Sequence, residues 1–181
     1  MEHLELLFIC KLFGNESSKC KTAIDLYMDT EGQQLCAGDV ETICKLCEDD
    51  ITTCKKALDL YMDTKRKKLA YPIITDELVH LCRLFEDNLP LRKEVFDLYM
   101  DTKREKLADP ISTAEVERIC QVFEDDLSLR EEVFDLYMDT RRGKLAPPIT
   151  TTDVERICRL FGNESSQCKE AGKLFSAHAA S

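Results

Sequence analysis

With 181 residues, 44% of them hydrophobic and 33% charged, the chain has a globular composition and enough length to bury a core. A net charge of −10 and a pI near 4.9 argue against nucleic acid as the main partner, because phosphate recognition needs a focused positive field. No apolar run approaches the roughly 20 residues that cross a bilayer, so membrane insertion is not expected, and scarce Gly (6) and Pro (5) suit uninterrupted helices.

The chain opens on an apolar stretch, Leu6-Leu7-Phe8-Ile9. It matches the first helix of later units and lacks a cleavage-like end, so it reads as structure and not as a signal peptide. The string Asp-Leu-Tyr-Met-Asp-Thr then occupies 25–30 and returns at 59–64, 97–102 and 135–140, with a degenerate copy, Lys-Leu-Phe-Ser-Ala-His, at 173–178. A period of 20–50 residues is the mark of stacked supersecondary units.

Aligned on Cys10, Cys44, Cys82, Cys120 and Cys158, the copies are spaced by 34, 38, 38 and 38 residues. Around each cysteine, apolar residues at −4, −1, 0 and +3 share one helical face, which predicts a first helix of about three turns. Ser112 to Glu115 and Thr152 to Glu155 fit capping boxes that open it. An acidic turn comes next, at Glu48-Asp49-Asp50, Glu86-Asp87-Asn88 and Glu124-Asp125-Asp126, replaced by Gly-Asn-Glu-Ser in the end copies. Pro90, and Ser128 with Glu131, mark the start of a second helix of about five turns. Its apolar residues run from Val95 to Leu107 and from Val133 to Leu145, and it stops before Pro72, Pro110 or Pro147-Pro148.

The fold expected is therefore all-α: five tandem two-helix hairpins of about 38 residues, at 1–36, 37–72, 73–110, 111–148 and 149–181. Each hairpin has an apolar stripe too wide to bury alone, so neighbours stack into one domain, an α-solenoid or a layered helical bundle. The segment Lys-Ala-Leu-Asp-Leu-Tyr-Met-Asp-Thr-Lys-Arg-Lys-Lys-Leu-Ala-Tyr-Pro at 56–72 resembles the second helix and exit of tetratricopeptide and pentatricopeptide repeats. Those are intracellular two-helix repeats that bind peptides and RNA respectively. The resemblance implies a stack of hairpins and carries no binding residue with it.

Ten cysteines carry information of a different kind. Cys20, Cys54 and Cys168 each stand ten residues after the first-helix cysteine of their own copy, where a hairpin turn brings the two face to face. In the third and fourth copies that place holds Arg92 and Arg130, leaving Cys82 and Cys120 unpaired. Cys36 and Cys47 depart from the repeat together, at its shortened junction, which predicts a bridge between them. Four disulfides result: Cys10–Cys20, Cys44–Cys54, Cys36–Cys47 and Cys158–Cys168. Bridges imply an extracellular, oxidising setting, and the sequons at Asn15 and Asn163 agree with it, although both also read as helix-capping turns. The alternatives are reduced core thiols in a cytoplasmic scaffold, or an intracellular protein that binds metal or senses redox state through Cys36, Cys44, Cys47 and Cys54.

The second helices end in basic residues, Lys65-Arg66-Lys67-Lys68, Lys103-Arg104 with Lys106, and Arg141-Arg142 with Lys144. These complement the helix dipole, and in a stack they form a basic rim that could hold an acidic ligand. Aspartates four residues apart, such as Asp59 and Asp63, need compensating cations, for which Lys45, Arg83 and Arg159 are candidates. His3, His80 and His178 do not recur in register with a cysteine and an acid, and no Gly-rich phosphate loop or Gly-x-Ser-x-Gly turn occurs. The expectation is a non-enzymatic protein without cofactor, presenting a helical surface to a protein, a peptide or an acidic ligand.

Overall fold

The computed structural model describes residues 2–31, 34–48, 50–67, 72–105, 110–142 and 147–179. Among them are ten α-helices and no strand: α1 (His3–Phe13), α2 (Ser18–Glu31), α3 (Ala37–Cys47), α4 (Ile51–Lys67), α5 (Thr75–Leu84), α6 (Leu89–Glu105), α7 (Thr113–Val122), α8 (Leu127–Arg141), α9 (Thr151–Phe161) and α10 (Ser166–Ala179). Short and long helices alternate as the periodicity requires. Helix packing groups the chain into two compact units, Met1–Leu98 and Tyr99–Ser181, which divide within α6. In the first unit α1 packs on α2, α3 on α4, and α3 on α5; in the second, α7 packs on α8, α9 on α10, and α7 on α9. Leu107 and Leu145, expected on the second helices, lie outside the described residues.

The recurring string is explained by where its side chains go. Tyr27, Tyr61, Tyr99 and Tyr137, each followed by a methionine, are buried on the inner face, while the flanking aspartates face solvent or its margin. The closing threonine returns its hydroxyl to its own helix: Thr64 Oγ1 donates to Leu60 O (2.9 Å), and Thr102 and Thr140 to Tyr99 O (2.9 Å) and Tyr137 O (2.8 Å). That back-bonding satisfies a polar group where the helix is still partly covered. Each buried Tyr or Phe removes about 150–250 Å² from water, so these rings dominate the core. Phe96 and Leu78 serve the first unit in this way, and Phe134 and Val116 the second.

An acidic residue at the third helical position bonds the N-cap in all five first helices. Glu5 accepts from Glu2 N, Asp39 from Cys36 N, Glu77 from Ile74 N, Glu115 from Ser112 N and Asp153 from Thr150 N, all within 3.2 Å. The Ser112–Glu115 box is therefore as expected, but the box opening α9 is Thr150 with Asp153 and not Thr152 with Glu155. Thr152 already lies in the first turn of α9, where its own backbone is helical and cannot cap. The second helices are also capped two residues earlier than expected. Asp126 Oδ1 accepts from Leu129 N (3.2 Å) and Asn88 Oδ1 from Leu91 N (3.2 Å), so Ser128 lies inside α8. The acidic turns are thus helix caps, and Ser17 and Ser165 do the same for α2 and α10.

Candidate functional site

The cysteines sit at the mouths of the hairpins. Cys10 in the last turn of α1 is bonded to Cys20 in the first turn of α2, with Cα atoms 4.6 Å apart, and Cys158 of α9 is bonded to Cys168 of α10 at 4.5 Å. Both hairpins turn through glycine in a positive-φ conformation, Gly14 (φ 84°) and Gly162 (φ 95°), which the Gly-Asn-Glu-Ser turn supplies. Closing a loop of this size stabilises each hairpin by about 2–3 kcal/mol.

The expected Cys44–Cys54 bridge is not formed: the α3–α4 hairpin has the same spacing but turns through Glu48 where the bridged hairpins have glycine, and it holds two buried thiols, Cys44 and Cys54, hydrogen-bonded to each other. The hydrogen bond to Cys54, reinforced by burial, pushes the Cys44 thiol far above its ordinary pKa. Cys47, at the end of α3, is pushed up to about 11, chiefly by burial. The predicted Cys36–Cys47 bridge does not fit. Cys36 caps the N-terminus of α3 and Cys47 is its last residue, so the helix holds them about 16 Å apart, where a disulfide needs Cα atoms within roughly 7 Å. The metal alternative fails on the same separation: among the described residues no group of three or more His, Cys, Asp or Glu side chains is placed to hold an ion.

Where arginine replaces the second cysteine it closes the hairpin in another way. Arg92 Nη1 donates to Glu86 O (3.3 Å) across the α5–α6 turn. Arg130 Nη1 donates to Glu124 O (3.5 Å), while its Nη2 donates to Leu160 O (2.6 Å) near the C-terminus of α9. Burial pushes the neighbouring Cys82 thiol up to about 12 and raises that of Cys120. The guanidinium clamp is invisible to cysteine spacing, although the recurrence of Arg at 92 and 130 is its trace in the sequence.

Of the described residues of the expected basic rim, Lys65, Arg66 and Lys67 belong to the first unit and Lys103, Arg104, Arg141 and Arg142 to the second. Lys65, Lys103 and Arg141 each lie over the tyrosine one turn earlier on their own helix, at 5.3–5.7 Å from the ring centre. Lys65 also pairs with Glu77 (2.9 Å), and buried Arg141 donates to Ile111 O (3.1 Å) and Pro147 O (3.3 Å). These contacts are structural, tying the end of a second helix to neighbouring backbone and side chains. Arg66 and Arg142 are exposed and pair with Asp63 (3.7 Å) and Asp139 (3.4 Å), and Arg104 is exposed. Lys68, Lys106 and Lys144 lie outside the described residues, as does the His178 side chain. The aspartate pairs are compensated from the second helices and not by Lys45: Lys55 serves Asp59 (3.4 Å) and Lys93 serves Asp97 (3.8 Å), while Lys45 pairs with Glu41.

Asn15 donates to Glu48 Oε1 (3.3 Å) and Asn163 is exposed, while the serines of both sequons are occupied in capping α2 and α10. In the first unit a groove of about 700 Å³ runs between α4 and α6, floored by Ile51, Leu60, Pro90 and Leu91 and edged by Lys55 and Glu94. No helix among the described residues is long and apolar enough to cross a membrane. Comparison with protein-family models, with curated proteins and with solved structures finds no match for this chain.

Proposed function

We propose that the chain is a non-enzymatic binding protein of an oxidising, extracellular setting, whose helical surface receives a protein or peptide. The observation that carries this reading is the disulfide found at the same place in the first and last hairpins, Cys10–Cys20 and Cys158–Cys168. Such bridges persist where thiols are not kept reduced. The α4–α6 groove supports a peptide over a small acidic ligand, because its floor is apolar and the cations near it are already paired with carboxylates. Two measurements test the reading. Intact mass after alkylation under denaturing conditions is expected to show four protected thiols, or six if Cys44 and Cys54 also join; ten free thiols would overturn the extracellular assignment. Replacing Ile51, which is 49% exposed, and half-buried Leu60 with Asp is expected to abolish capture of a partner from extracellular fluid, and unchanged capture would remove the groove from the reading.

A further inference from the structure

The recurring string keeps its leucine in all four copies, but the chain covers that leucine in only two of them. Leu98 on α6 and Leu136 on α8 are 2% and 1% exposed, whereas Leu26 on α2 is 52% exposed and Leu60 on α4 is half-buried. Leu60 lies in the floor of the groove between α4 and α6, with Ile51, Pro90 and Leu91. From Ile51 to Asp63 the groove follows α4 for about 18 Å, the length of about three helical turns. Both walls are α-helices, whose backbone donors and acceptors are spent within the helix, so an occupant finds no strand edge to pair with. The described residues that line it include no aromatic ring to seat a polyproline segment. The shape therefore suits a ridge of side chains, which an amphipathic helix supplies.

The walls set the charge of that helix. Lys55 Nζ stands between two carboxylates, Asp59 (3.4 Å) and Glu94 (3.1 Å), and Lys56 reaches to Asp25 on α2 (3.3 Å). Asp63, one turn beyond Asp59, meets Arg66 and Lys67 of its own helix at the long distances of 3.7 and 4.0 Å. Exposed pairs of this kind contribute little, so the carboxylates stay open to a second cation. In the lining they outnumber the ammonium groups by three to two, on a chain of net charge −10. We propose that the α4–α6 groove takes a basic amphipathic helix of about three turns, with its apolar ridge on Ile51 and Leu60 and its Lys or Arg side chains against Asp59, Asp63 and Glu94. This names the partner of the groove assigned above to a peptide and rests on that reading.

Fluorescence anisotropy tests this with two labelled probes of about 14 residues, one of leucine and lysine and one of leucine and glutamate, their leucines in the same helical pattern. At about 0.15 M salt the lysine probe is expected to bind the oxidised full chain with a dissociation constant below about 100 µM. The glutamate probe is expected to bind at least about tenfold more weakly. Ile51→Asp with Leu60→Asp is expected to weaken the lysine probe at least about tenfold with far-UV circular dichroism unchanged, although the added charge would by itself tighten a purely electrostatic contact. Asp59→Asn with Asp63→Asn is expected to weaken it about threefold or more. Asp135→Asn with Asp139→Asn, the same charge change at the same places on α8, is expected to leave it unaltered. No binding of the lysine probe, or equal losses in the two asparagine variants, would overturn the proposal. A glutamate probe that binds and is lost in the Ile51 and Leu60 variant would keep the peptide groove and overturn the basic helix alone. An oxidised chain that sediments as a dimer dissociated by that variant would give the groove to a second copy and equally overturn it.

Discussion

Asp39 is the residue on which the junction of the first two hairpins turns. It stands at the third position of α3 and accepts from Cys36 N (2.9 Å) and from the hydroxyl of buried Tyr27 (2.9 Å), with His3 Nδ1 at 2.8 Å. Hydrogen bonds to an ionised group contribute about 1.5–3 kcal/mol each, non-additively, and a buried hydroxyl left unpaired costs about 1–3 kcal/mol. Asp39→Ala is therefore expected to cost about 3–4 kcal/mol near pH 7. Burial by itself would raise the pKa of this carboxyl, but the hydrogen bonds from Cys36, His3 and Tyr27 outweigh it and hold the carboxyl below the usual carboxylate range. A carboxyl depressed in the folded state contributes stability above its unfolded pKa of about 3.9, and that contribution is lost as pH falls through the folded value. Urea unfolding of wild type and Asp39→Ala, followed by circular dichroism near pH 7 and near pH 3, should show the gap between them narrowing at the acid end. A gap under about 0.5 kcal/mol near pH 7, or one that does not narrow on acidification, would refute the reasoning.

Two further substitutions probe the turns. Glu48 is the non-glycine residue held at positive φ (47°) among the described residues, at the place filled by Gly14 and Gly162 in the bridged hairpins; Glu48→Gly is expected to stabilise by about 0.5–1 kcal/mol, read as a raised urea midpoint, and a lowered midpoint would argue that the Asn15 contact outweighs the strain. Arg130→Ala, which releases two backbone carbonyls, is expected to cost about 1–3 kcal/mol, whereas Arg66→Ala, which breaks one exposed ion pair, stays within about 0.5 kcal/mol in the same assay.

The helices were legible in the sequence because their apolar spacing repeats in every copy, and Val40, Leu78 and Val116 are fully buried as that spacing demands. The Cys10–Cys20 and Cys158–Cys168 bridges were legible for a related reason: a ten-residue separation across a tight turn brings the second cysteine beside the first, although Cys44 and Cys54 share that separation and meet as thiols. The Cys36–Cys47 pairing fails because two departures from a repeat say nothing about distance, and ten helical residues of α3 lie between them. The rim was legible as charge and not as surface. Whether a cation at the end of a helix faces solvent depends on the acid or carbonyl that another segment brings to it, as Glu77 is brought to Lys65 and Ile111 O to Arg141. Caps such as Asp126 were hidden in plain acidic turns, since a turn residue and a cap residue are the same types in the same place.

Both bridges join neighbours in sequence, which bears on how the protein is made. The two cysteines of a hairpin can meet as soon as its two helices have emerged, because closing a ten-residue loop takes about 10–100 ns, far less than adding a single residue during synthesis. Oxidation then needs no search among distant cysteines: Cys20 already lies beside Cys10 while the last hairpin is still to be translated, and the bond follows at the pace of the oxidant.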